Sequence, residues 1–260
     1  MNLLFNTEKA GSYKSNSQIA RVMTESWIST NSYCPNCGNS KLCVFNNNRP
    51  VADFYCHTCK EEYELKSNKG ELRHKIIDGA YESMIKRISS TTNPNLFLLT
   101  YDVRILSVVI LLIIPKQFFI PSIIEKRNPL SMSARRAGWI GCYINIKNVP
   151  ILGRIYIIKN STVVNQKDVL RRWKQTTFLN NVSFEARGWT LEILSCIDKL
   201  RKTDFDLDEL YKFEPDLKKK FPNNNFIKDK IRQQLQILRD KGILKFVSKG
   251  KYRNLRNGNI

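Results

Sequence analysis

At 260 residues, with 42% of them hydrophobic, the chain has room for one large domain or two ordinary ones, each with a real core. Its 43 Lys and Arg outnumber 23 Asp and Glu for a formal charge of +20. Such an excess does nothing for a fold but attracts polyanions, so it points to nucleic acid first and to an acidic membrane surface second. Neither export nor membrane insertion is expected. The N-terminus MNLLFNTEKAGSYK has no basic, apolar and small-residue succession of a signal peptide. The longest apolar run, residues 105–114, is broken by Ser107 and closed by Pro115, short of the roughly 20 residues a spanning helix needs. The seven cysteines of a chain with this cytoplasmic character are expected to be metal ligands or free thiols.

In chain order, Ile19, Val22, Met23 and Trp27 fall at helical spacing and predict an amphipathic helix over residues 17–28. A cysteine-rich stretch follows over 33–63, then a strand-like Glu64–Leu65–Lys66, then a predicted helix over 78–88. Two apolar segments, 95–100 and 108–114, read as buried strands, the region 124–142 as a basic loop, and 154–158 as a further strand before a turn at 159–162. Beyond residues 180–183 three segments of helical period (189–200, 207–221 and 226–240) precede a hairpin over 243–253 that turns at Lys249–Gly250. Helix, helix, helix and hairpin is the order of a winged helix-turn-helix. The tail from Asn254 is expected to fray.

Cys34-Pro-Asn-Cys37 and Cys56-His-Thr-Cys59 are two C-x-x-C knuckles eighteen residues apart, the spacing for one tetrahedral Zn²⁺. Core cysteines have no reason to pair this way. Four thiolates leave no open coordination position, so the zinc is expected to be structural. Cys43, Cys142 and Cys196 lack partners and read as ordinary buried thiols, and His57 as a bystander.

Pro50-Val51-Ala52-Asp53 stands between the knuckles, and Glu64-Leu65-Lys66 follows them. An acid, a second acid and a lysine two residues on is the P-D…(D/E)-x-K pattern of a large nuclease superfamily. In a strand, residues two apart share a face, so Glu64 and Lys66 project together while Leu65 packs inward. Asp53 and Glu64, with the Leu65 carbonyl, would hold a hard cation such as Mg²⁺, and Lys66 would orient or activate the attacking water. Alone the motif is weak, since Asp216-Leu217-Lys218 repeats it on a predicted surface helix. The partner acid, the strand setting and the basic chain single out the first copy. Glu25 is within reach of such a site but reads as part of a solvated helix face, and Glu61 and Glu62 read as exposed.

In the last predicted helix Ile227, Ile231, Leu235 and Leu238 form an apolar stripe, opposed by Asn225, Lys228, Arg232 and Arg239 with Gln233 and Gln236 at the edges. Arg and Gln suit bidentate contacts to guanine and adenine edges. Lys249, Lys251 and Arg253 on the wing are placed for phosphates. Trp27 and Trp189 read as core, and Trp173 is undecided. Trp139, in the basic glycine-containing segment ARRAGW, offers an aromatic face that either stacks on a base or closes over the core.

The strings YKSNSQ at 13–18, SYCPNCGN at 32–39, NNRPVADFYC at 47–56, EEYELKS at 61–67, IDGAY at 77–81, ARRAGWIGC at 134–142 and IRQQLQILRDK at 231–241 resemble the DpnI type of restriction endonuclease across nearly the whole chain. The resemblance implies an α+β fold: a PD-(D/E)XK nuclease core with a zinc ribbon-like site over residues 1–182, and a winged helix over 183–260. It implies a methyl-directed (type IIM) enzyme that cuts double-stranded DNA bluntly, with Mg²⁺, inside GATC sites carrying N6-methyladenine. Asp53, Glu64 and Lys66 would be its catalytic set and Cys34, Cys37, Cys56 and Cys59 its zinc ligands. Arg135, Arg136 and Trp139 match a segment that would meet the methylated base. The expected partner is DNA, with no membrane and a monomer in solution. The competing reading is a zinc-ribbon, winged-helix transcription regulator, which has no need of Asp53, Glu64 and Lys66. An HNH nuclease would need a histidine base, and His57 and His74 stand in no suitable motif.

Overall fold

The computed structural model describes residues 1–45, 51–90 and 92–257. Pro50 and residues 258–260 therefore lie outside the described residues. The chain divides into two compact units, one of residues 1–147 and 153–176, the other of residues 148–152 and 177–260.

In the first unit the N-terminal helix α1 (Asn16–Asn31) is followed by β1 (Cys43–Val44), β2 (Phe54–Tyr55), β3 (Glu62–Lys69) and β4 (Lys75–Ala80). Then come α2 (Tyr81–Ile88), β5 (Asn95–Asp102), β6 (Ser107–Ile114), β7 (Ile124–Lys126), β8 (Gly141–Asn145), β9 (Ile155–Lys159), β10 (Thr162–Val163) and α3 (Gln166–Lys174). Seven strands form one sheet in the order β1-β2-β3-β5-β6-β9-β10, and β4-β8-β7 form a smaller antiparallel one. The large sheet is antiparallel except where β3 runs parallel to β5. Both faces of β5 are buried, which is why its sequence reads as an unbroken apolar run rather than an alternation.

Strand alternation sets the site. Tyr63 pairs with Asn95 and Leu65 with Phe97, so Tyr63, Leu65, Phe97 and Leu99 turn to the face where Trp27, Ile28 and Trp173 of α1 and α3 complete the core. Tyr63 stacks on Phe97 with ring centroids 5.0 Å apart. Glu64 and Lys66, in register with Leu96 and Leu98, turn to the opposite face.

Two expectations need correction here. Asp78 lies on a strand, not a helix: Ile77-Asp78 belongs to β4, and the helix starts only at Tyr81. The backbone after Asp78 is committed to β8, with a bulge between Asp78 and Ala80, and that pairing overrides the weak helical period. The segment 124–142 is a loop only in its middle, since β7 and the start of β8 bound it.

In the second unit α4 (Phe184–Leu200) leads to β11 (Asp204–Asp206), α5 (Leu207–Tyr211), α6 (Glu214–Lys220), α7 (Ile227–Asp240), β12 (Leu244–Ser248) and β13 (Lys251–Asn254). The expected single helix over 207–221 is two. Pro215 in the first turn of α6 has no N–H for a continuing helix and is suited to starting a new one. The α5 N-terminus carries a capping box, Asp206 with Glu209. The hairpin β12–β13 gains β11 as a third strand, a wing broader than the sequence pattern indicated. Trp189 stacks on Phe221 at 3.7 Å, and Ile227, Ile231, Leu235 and Leu238 are buried as the stripe predicts. The expected frayed tail is ordered to Asn257. Arg256 is buried and reaches Asp198 at 2.9 Å, while Asp198 also accepts from the Ile151 amide.

Candidate functional site

The two cysteine knuckles fold alike. In each, the amide four residues on donates to the carbonyl of the first cysteine (Gly38 to Cys34 at 2.8 Å, Lys60 to Cys56 at 2.9 Å). In each, the first cysteine's own amide donates five residues ahead, Cys34 to the Asn39 carbonyl and Cys56 to that of Glu61. Both turns close through a residue of positive φ, Gly38 at 79° and Lys60 at 62°. All four sulfurs lie within 4.8 Å of one another, with Cys34–Cys59 and Cys37–Cys56 each at 3.5 Å. A tetrahedral zinc with bonds of about 2.3 Å needs sulfurs roughly 3.8 Å apart, so the donor set fits that ion. Burial opposes ionisation of Cys56, but the Cys59 and Thr58 amides outweigh it and bring its pKa down to about 7. Burial pushes the Cys34 thiol up, and the Tyr63 hydroxyl lies 3.0 Å from its sulfur, a support of the kind that fixes metal ligands. Of the three other cysteines Cys142 and Cys196 are buried as expected, but Cys43 is half-exposed at the edge strand. His57 is a bystander in this cluster: its ring meets Asn39 and Thr58.

The knuckles set the strands that hold the acids. Asp53 directly precedes β2, and its amide donates to the Tyr63 carbonyl at 2.9 Å. Pairing of β2 with β3 ends there, leaving the next outward-facing amide of β3 to a side chain. The Asp53 carboxylate takes it, accepting from the Leu65 N–H at 2.6 Å. Glu64 and Lys66 come together as predicted, Lys66 Nζ lying 2.7 Å from Glu64 Oε1.

Two residues the motif does not contain complete the group. Lys66 Nζ also reaches Asp78 Oδ1 at 3.0 Å, and Arg87 Nη2 lies 3.5 Å from Asp78 and 3.7 Å from Glu64. Desolvation raises the Glu64 pKa, opposed by Lys66 and reinforced by Asp78. Desolvation also raises that of Asp53, opposed by the Leu65 amide and Lys66. For Lys66 burial works downward, but Glu64 and Asp78 outweigh it and hold the ammonium above the ordinary lysine range.

Glu25 is not on a solvated face. It is half-buried on α1 with a raised pKa, caused by burial first and in part by the neighbouring Asp53 charge, while Arg21 acts the other way. Glu61 is not free either: it binds Lys116 at 3.0 Å and Asn95 at 2.8 Å, and Glu62 beside it is half-buried. Sequence alone hid Asp78 and Arg87 because they reach the site from the second sheet and its following helix, with no fixed spacing from Lys66. The one available signal was a lone Asp inside IDGAY.

Between β7 and β8 the chain makes a closed arm. Arg127 donates to the Gly141 carbonyl at 3.0 Å, Leu130 to that of Trp139 at 2.9 Å, and Gly138, at φ 75°, to that of Leu130. Arg135 and Arg136 are exposed on it, and the Arg136 guanidinium lies 4.8 Å from the centre of the half-exposed Trp139 ring. Met132 is 89% exposed at its tip. Trp173, undecided from sequence, is core.

In the second unit Asn225, Lys228, Arg232, Gln233, Gln236, Lys249, Lys251 and Arg253 are all exposed. Several are already paired: Arg232 with Asp229, Lys228 with Glu214 at 3.6 Å, Asn225 with Lys218 at 2.9 Å, and Arg253 with Asp204 through two bonds of 2.7 and 2.9 Å. Phe226, the residue just before α7, has 72% of its surface exposed.

The DpnI model, described as the Dam-replacing family, matches residues 1–182, and that of the Dam-replacing HTH domain matches residues 185–254. The chain belongs to the DpnI, Dam-replacing family. Membership supports a restriction-type, methyl-dependent function on DNA, carried by a nuclease with a C-terminal helix-turn-helix domain. Among the described residues no helix is long and apolar enough to cross a membrane.

Proposed function

We propose that this chain is a type IIM restriction endonuclease that hydrolyses double-stranded DNA at GATC sites bearing N6-methyladenine, cutting bluntly within the site. The observation that carries the reading is the convergence of Asp53, Glu64 and Lys66 at the β2–β3 junction in a chain of this family. Residues 1–182 are read as the nuclease domain and 183–260 as the winged helix. The protein is read as a monomer in solution, in the reducing cytoplasm of a bacterium, where free thiolates can hold zinc.

Asp53 and Glu64, with the Leu65 carbonyl, would hold Mg²⁺; their hard oxygen donors suit it, and half-buried carboxylates of raised pKa are relieved by a cation. When bound, such an ion polarises the scissile phosphate and acidifies a water. Lys66 keeps its proton and offers a fixed positive charge to the attacking water and to the phosphate as negative charge builds on it. Glu25 feels the charge of Asp53 and is a candidate fourth member of the set. Zinc, held by Cys34, Cys37, Cys56 and Cys59, plays no part in the chemistry and fixes the frame.

An N6-methyl projects into the major groove and is readable by an apolar or aromatic surface, as the thymine methyl is. Trp139 with Arg135 and Arg136 supplies such a surface on the nuclease domain. Asn225, Lys228, Arg232, Gln233 and Gln236 supply base contacts, and Lys249, Lys251 and Arg253 phosphate contacts, from the winged helix. Digesting methylated and unmethylated plasmid in Mg²⁺ and sequencing the ends tests activity, methyl dependence and cut position together. Intact methylated plasmid would leave the non-catalytic regulator as the better reading.

A further inference from the structure

We propose that Asp78 is a positioning residue for Lys66, holding the ammonium in the site from outside the catalytic motif. The inference rests on the reading of Lys66 as catalytic. Its observations are geometric. Asp78 comes from the small β4-β8-β7 sheet, whereas Lys66 comes from the large one, so their meeting is made by tertiary structure alone.

The Asp78 side chain is 7% exposed, and its Oδ1 accepts from both Lys66 Nζ at 3.0 Å and the Gly79 amide at 2.7 Å. Its Oδ2 faces Arg87 at 3.5 Å. A carboxylate this deep is stable only with such donors, and together they leave it one orientation. Its backbone is fixed as well, because Asp78 stands opposite Cys142 in the β4–β8 ladder and the Tyr81 amide binds the Ile140 carbonyl at 3.1 Å.

Glu64 is the other partner of Lys66, yet Glu64 is also wanted as a cation ligand. An anchor for Lys66 that is not itself a cation ligand frees Glu64 to turn its oxygens elsewhere without releasing the ammonium. Asp78 is that anchor. Arg87 neutralises the surplus negative charge that a second acid brings to the pocket.

The test compares wild type, D78N, D78E and K66A by kcat and KM on methylated plasmid, with circular dichroism as the check on folding. D78N keeps shape and the Gly79 bond but loses the charge, so kcat should fall about 10²-fold, the scale of a misplaced catalytic group, with KM unchanged. D78E keeps the charge on a longer stem and should lie between D78N and wild type. A packing role predicts the reverse order, because Asn matches Asp in shape and Glu does not. Wild-type kcat in D78N, a loss confined to KM, or D78E slower than D78N overturns the proposal. If D78N does not fold, D78E decides: a reduced kcat at constant KM supports the role, and a wild-type kcat overturns it. K66A separates the two layers. A K66A slowed as expected beside wild-type D78N sinks only the role of Asp78, whereas K66A at the wild-type rate sinks the catalytic reading beneath it.

Discussion

The two units treat charge in opposite ways. In the first, the charges that matter are sunk into the protein and bound to one another: Glu64, Lys66, Asp78 and Arg87 form one chain of contacts, and Asp53 is pinned on a backbone amide. In the second, basic and amide side chains stand in solvent on α7 and the wing, and their partners are other surface residues. Bond cleavage needs atoms held to a fraction of an ångström, which burial and multiple bonds provide. Gripping a phosphate backbone needs accessible charge that can trade a weak surface partner for a stronger one. Disruption should therefore abolish function in the first unit and only weaken it in the second.

The largest effect should follow loss of the zinc ligands. The knuckles fix β2 and β3 through the Cys56–Glu61 and Asp53–Tyr63 backbone bonds, so a Cys56→Ser protein should lose bound zinc and all cleavage even in excess Mg²⁺. Zinc content by atomic absorption and plasmid cleavage check this, and a zinc-free protein that still cuts would break the contrast. Next comes Lys66→Ala, expected to cost roughly 10²–10³-fold in single-turnover rate while methylated DNA is still bound, as for removal of one transition-state donor. Smaller is Arg232→Ala, which should weaken affinity of the winged helix for its site by about 1–3 kcal/mol and relax sequence preference without touching the rate at saturation. The salt bridge to Asp229 joins two exposed side chains and should not offset that loss. The smallest effect should come from Lys249→Ala or Lys251→Ala: binding falls evenly across sequences, and the slope of log affinity against log salt drops by about one. Equal losses of rate from both units would erase the distinction between them.

The features legible in the sequence were those with a fixed local spacing. The C-x-x-C pairs, Glu64 and Lys66 two apart on a strand, and the i, i+4 stripe of α7 each impose their geometry over a few residues. Asp78 and Glu25 were misjudged for the same physical reason. Their roles depend on which sheet or helix packs against β3, and neither periodicity nor composition carries that. The segment 207–221 reads as one helix by its apolar spacing, but Pro215 inside it lacks the N–H that a continuous helix needs. The tail beyond Asn254 read as polar and loose because the partner of Arg256, Asp198, lies on α4 far back in the chain.

The central claim is that a buried carboxylate–lysine site cuts DNA only when adenine is methylated. The most direct measurement places wild type and Lys66→Ala side by side on methylated and unmethylated GATC plasmid in Mg²⁺, with binding to the same DNA recorded in parallel. The account predicts blunt cleavage by wild type of the methylated plasmid alone, and cleavage by Lys66→Ala slowed roughly 10²–10³-fold despite retained binding. Equal cutting of both plasmids, or cutting by Lys66→Ala at the wild-type rate, would contradict it.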